Sequence, residues 1–190
     1  MPPDADLTWE APEEALCITV VLARDEPTIL AALGADPSTA RSMTYLATLD
    51  EWSDDIATAR VWRDGDAVVI VEPNGWELSI PETFLEIVGD AFAVTVFWNV
   101  NANMQVLVAR GGAIVRSFDP LFYPDEPGEG EPLPEEAGLA FGEDHATSSA
   151  LALFARLTGF RPTPEAVTGG ERPTVTFERR RHPAVSETFR

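Results

Sequence analysis

The chain of 190 residues has no lysine, one cysteine and two histidines. It also lacks any apolar run approaching the roughly 20 residues that a membrane-spanning helix needs, so no membrane role is expected. The single cysteine, Cys17, cannot close an internal disulfide. The acidic start Met1-Pro2-Pro3-Asp4-Ala5-Asp6 has neither the basic nor the apolar region of a signal peptide. The expectation from both is a reduced, cytoplasmic protein. All 13 basic residues are arginine, against 32 acids, for a net charge of −19 and a pI of about 4.2. Broad phosphate-driven binding needs clustered cations, so nucleic acid is not the expected partner. Such binding would rest on Arg172, Arg179, Arg180 and Arg181 alone. Acidity of this size is either a solvated, soluble surface or a face shaped to occlude a basic protein partner.

Catalytic stock is equally thin. The chain contains no Gly-x-Ser-x-Gly, His-Glu-x-x-His, Cys-x-x-Cys, Walker or dinucleotide glycine pattern. His182 follows three arginines, and His145, beside Glu143 and Asp144, opens a helix where a surface or capping role is the ordinary one. Cys17 with a distant histidine meets the minimum for thiol catalysis. It stands at the front of an apolar strand, however, where cysteine serves as a small buried hydrophobe. Carboxylates are so abundant that chance pairs carry no information. The acidic loop lacks the ligand order of a calcium-binding helix–loop–helix. Gly128-x-Gly130 lies among acids, the wrong charge to cradle phosphate. No catalytic residue, metal or cofactor is assigned.

What is present reads as a globular fold. A hydrophobic fraction of 45% with mean hydropathy near zero suits a chain with a real core. Cys17 to Ala23 is apolar on both faces and predicts a buried central strand. Asp25 and Pro27 open a helix that Gly34 closes, Asp36-Pro37 repeats the start signal, and a helical stretch is expected from Tyr45 to Trp52. Two strands, Thr58–Arg63 and Ala67–Glu72, flank the tight turn Asp64-Gly65-Asp66. Ser79 and Glu82 have the spacing of a capping box around Pro81. Phe92–Trp98 is a further strand, and Met104–Ala109 with Ala113–Phe118 form a hairpin on Gly111-Gly112. A helix is expected over about 145–158, with a short one opened by Thr163-Pro164-Glu165. Connections this short predict an α+β domain, a mostly antiparallel sheet of about five to six strands with helices packed against it. Residues 1–15 are expected to be flexible and 16–170 to form the domain, with a mobile acidic loop over 124–143. Residues 171–190 are read as an edge strand and a basic flexible tail.

The distinctive residues are aromatics beside amides. In Phe92–Trp98, alternation puts Phe92, Val94, Val96 and Trp98 on one face and Ala93, Thr95, Phe97 and Asn99 on the other, so both faces are covered. Asn99, Asn101 and Asn103 fall at alternate positions of a turn, where asparagine ordinarily satisfies backbone groups. The functional reading makes Asn74, Trp76, Trp98, Asn99, Asn101, Asp119 and Phe122 one rim that binds a ligand or partner. Two expectations follow. One is a non-catalytic binding domain, an immunity or accessory protein occluding a protein partner. The other is a small-molecule or enzymatic site around Trp76, Trp98, Asn99, Asn101 and Asp119, with Asp119 as base or cation partner.

Several blocks carry a resemblance. Cys17-Ile18-Thr19-Val20, Leu33-Gly34-Ala35-Asp36-Pro37, Glu72-Pro73-Asn74-Gly75-Trp76, Phe97-Trp98-Asn99-Val100-Asn101, Ser117-Phe118-Asp119-Pro120-Leu121 and Ala155-Arg156-Leu157-Thr158-Gly159-Phe160 occur in this order. On them the chain resembles the actinobacterial domain family of unknown function numbered 6461. The resemblance covers roughly residues 15–169 and leaves out the acidic loop and the arginine tail. It implies an intracellular protein and supplies no catalytic residues.

Overall fold

The computed structural model describes Leu7, residues 15–51 and residues 53–180. The remaining N-terminal residues, Trp52 and the tail beyond Arg180 lie outside the described residues, so the flexibility expected of the two ends is not addressed. Leu7 itself is fully buried.

The strands are β1 (Ala15–Leu22), β2 (Arg41–Thr44), β3 (Ile56–Asp64), β4 (Ala67–Pro73), β5 (Phe92–Asn99), β6 (Met104–Arg110), β7 (Ala113–Phe118) and β8 (Glu171–Glu178). They form one antiparallel sheet in the order β2-β8-β3-β4-β1-β5-β6-β7. The sheet has eight strands and not five or six. The strand without a sequence counterpart is β2, four residues with no apolar alternation, held by pairing with β8. That pairing also moves β8, expected at an edge, to the interior between β2 and β3.

Helices cover both faces. One core gathers Leu16, Ile18, Val20, Val94, Val96 and Trp98 against α4 (Ala146–Thr158). The other gathers Cys17, Val21, Ala93 and Phe97 against α1 (Glu26–Leu33) and α3 (Pro81–Val88). Strands β1 and β5 are paired through Ala15↔Asn99 to Leu22↔Phe92 and are buried on both sides, as their two-faced apolar patterns require.

Local signals explain most element ends. The Asp25 carboxylate accepts from the Thr28 amide at 3.0 Å, and Thr163 caps α5 (Pro164–Thr168) through the Ala166 amide. The helical stretch at Tyr45 is short, α2 (Tyr45–Leu49), capped by Thr44. The capping box at Ser79 does not form. Ile80 occupies the cap of α3, and the Ser79 hydroxyl donates to the Trp76 carbonyl within the preceding turn Glu77–Ser79. In the β6–β7 hairpin, Arg110 pairs with Ala113, so Gly111-Gly112 is a two-residue loop with both φ positive, at 59° and 79°.

Candidate functional site

The seven sequence-predicted residues share one end of the sheet. There Ala15 pairs with Asn99, Leu16 with Pro73, Trp98 with Met104 and Phe118 with Val106. They do not share a face. Trp98, 9% exposed, is packed in the α4 core, whereas Trp76 packs against the α1/α3 core. The two indoles thus pack against different cores. Asn99 does the ordinary work of a turn, its Oδ1 accepting from the amides of Asn101 and Asn103, both at 3.0 Å. Asn74 takes a positive φ of 54° and donates its amide to the Ala15 carbonyl. Asn101 is exposed. Asp119 accepts from the Leu121 amide at 2.8 Å, and partial burial lifts its carboxyl above the ordinary range. Phe122 is 50% exposed, and Val100 in the β5–β6 turn is 70% exposed.

The more informative arrangement follows Phe122. The acidic loop, expected to be mobile, is fastened along β7. Ser117 and Glu129 exchange backbone hydrogen bonds of 3.0 and 2.7 Å in an isolated bridge. A methyl group on Gly128 would sit 2.1 Å from the Ser117 carbonyl oxygen, and one on Gly130 2.1 Å from that of Val115. The glycines serve close approach of two backbones, not phosphate. Arg116 then crosses from β7 into the loop. Its Nη1 donates to the carbonyls of Pro127, Glu129 and Gly130 at 2.7, 3.2 and 3.3 Å. Its Nε and Nη2 meet the two Glu136 oxygens at 2.7 and 3.1 Å. The guanidinium lies 4.4 Å from the Phe118 ring centroid, in a cluster with Tyr123 and Phe141. Glu136 also accepts from the Leu133 amide at 2.9 Å. With its backbone so held, the loop turns Asp125, Glu126, Glu129 and Glu131 outward, all exposed.

Two buried charged side chains and one cleft escaped the sequence reading. Glu72 is fully buried opposite Cys17, and its carboxylate accepts from the amides of Glu77 and Leu78 at 3.0 and 3.1 Å. Burial is the main cause that pushes its pKa up to about 7. Burial and that same carboxylate push the Cys17 thiol up, which fits an inert core cysteine and not a nucleophile. Arg60, also buried, donates to the carbonyls of Val167, Gly169 and Gly170 and so closes α5. The third is a cleft of about 480 Å³ lined by Thr44, Tyr45, Leu46, Thr168, Gly170 and Glu171, none of them a predicted site residue. His145 is exposed at the start of α4 and makes no side-chain cap. Among the described residues, no three His, Cys, Asp or Glu side chains stand close enough together to hold a metal ion. No described helix is long and apolar enough to cross a membrane.

A family model described as "Family of unknown function (DUF6461)" matches residues 5–172. The chain belongs to this family. The match is broader than the resemblance read from the sequence blocks and takes in the acidic loop, while stopping short of the arginine tail. No curated protein and no solved structure matches the chain. The family description names no activity, substrate or partner.

Proposed function

We propose that this protein is a binding domain whose clamped acidic loop docks a basic protein partner, in the manner of an immunity or accessory protein that occludes its target. One observation carries the reading. Four exposed carboxylates stand on a loop whose backbone is fixed by a buried arginine, so the surface is shaped before any partner arrives. Pre-organisation of this kind removes the ordering cost that a mobile acidic segment pays on binding. Complementary charge then favours fast encounter. Phe122, half-exposed and accepting at its carbonyl from the Glu126 amide, supplies apolar contact beside the acids.

The test is capture from native lysate by the tagged chain, read by mass spectrometry. A full-length control carries Asp125→Lys, Glu126→Lys, Glu129→Lys and Glu131→Lys. The reading predicts a stoichiometric basic partner retained by the native chain and lost by the control. Absence of any complex at micromolar concentration, or equal retention by the control, would contradict it.

A further inference from the structure

Trp76 faces an arginine of the same chain. Arg179 lies immediately after β8, with its guanidinium carbon 4.4 Å from the indole centroid. Its Nη1 meets Glu77 Oε1 at 3.2 Å, and its Nε donates to the Ser53 carbonyl at 3.0 Å. Both side chains of this ion pair are withdrawn from water, Arg179 being 7% and Glu77 2% exposed. Arg180 continues the pattern. Its amide donates to Glu77 Oε2 at 3.4 Å, its Nη1 pairs with Glu86, and its Nη2 donates to the Ala32 carbonyl at 2.9 Å.

An aromatic face, carboxylates and backbone carbonyls disposed around two flat cations form a receptor for arginine in particular. A lysine ammonium offers neither the plane to stack nor the fork to bridge acceptors. The residues of the receptor, Ala32, Ser53, Trp76, Glu77 and Glu86, all lie within the stretch matched by the family, 5–172. The two arginines that fill it lie beyond that stretch. The receptor is therefore part of the family domain. Its occupants follow directly on β8, with the Arg179 amide donating to the Asp55 carbonyl at 2.8 Å, so exchange concerns the two side chains.

We propose that this set of partners is a binding site for paired arginines of a peptide segment, and that Arg179-Arg180 occupies it in cis as a competing ligand. The buried Glu77 carboxylate sets the mode of exchange. Emptying the receptor leaves that charge unpaired, so the two side chains give way when another arginine arrives and not by simple opening. The site stands independently of the acidic loop: the loop packs on the α4 core and Trp76 on the opposite one.

The experiment uses the full chain carrying Arg179→Ala and Arg180→Ala, with a fluorescein-labelled Gly-Ser-Arg-Arg-Gly-Ser peptide and its Lys-Lys counterpart. In 0.15 M salt, the variant is expected to bind the Arg-Arg peptide at least about tenfold more tightly than the native chain, whose site is filled nine-tenths of the time or more. Adding Glu86→Gln to the variant should weaken that binding, and the Lys-Lys peptide should bind poorly. Loop charge reversal lowers the affinities for the Arg-Arg and Lys-Lys peptides alike and leaves their ratio unchanged, which separates this site from the loop. Equal affinity of native and variant chains, or of the two peptides, overturns the proposal. Should the variant not fold, the native chain supplies the test through hydrogen exchange. Excess Arg-Arg peptide must speed exchange at the Arg180 amide, and an unchanged rate overturns the proposal.

Discussion

Arg116 and Glu136, twenty residues apart, meet in a two-pronged ion pair with side chains 0% and 5% exposed. The same guanidinium holds three carbonyls of the intervening loop, so one side chain links the sheet to the acidic surface.

Removing one partner leaves the other charge buried alone. Arg116→Met should therefore cost about 3–5 kcal/mol in urea unfolding at neutral pH. The double variant Arg116→Met/Glu136→Leu, with neither charge present, should lose less than the single one. A double variant as unstable as the sum of the two single ones would show that the pair is not coupled.

Gly128 and Gly138 both have positive φ, at 73° and 77°, but only Gly128 abuts β7. Alanine at either position carries the backbone penalty of roughly 1 kcal/mol. Gly128→Ala must in addition push the loop off the strand. It should be the more destabilising of the two in thermal unfolding, and equal losses would deny the close approach.

How far the sequence could be read follows from where each signal resides. The two-faced runs of β1 and β5 declare burial on both sides because each strand carries its own alternation. Arg41-Ser42-Met43-Thr44 declares nothing, since its strand character comes from pairing with β8, well over a hundred residues away. Gly128-x-Gly130 was legible as glycine but not as a docking edge, because the strand it approaches is supplied by the fold. Alternation likewise assigned Trp98 a face within its own strand. It could not relate that face to Trp76 on another element, and so the rim expected around both tryptophans divides across the sheet.

Trp98 belongs to the α4 core and borders Met104. Trp98→Ala should cost about 3–5 kcal/mol, read by chemical denaturation. A variant of native stability would return that indole to the functional surface.

Glu72 predicts a pH dependence. Its folded pKa of about 7 stands above the ordinary 4.5. Protons are thus held more tightly in the folded state, and stability present below about pH 4.5 is lost as pH rises through 7. The full swing is about 3 kcal/mol. Glu72→Gln removes this dependence, so the stability gap between the two proteins should change between pH 5 and pH 8. Parallel melting profiles across that range would contradict the assignment.

The account turns on the acidic loop being held to β7 before any partner binds. Hydrogen exchange at the Glu129 amide, which donates to the Ser117 carbonyl at 2.7 Å, reads this directly. The account predicts slow exchange in the free native protein and fast exchange in Arg116→Met. Exchange at the open-chain rate in the native protein would mean that the loop is not clamped and its acidic surface not pre-formed.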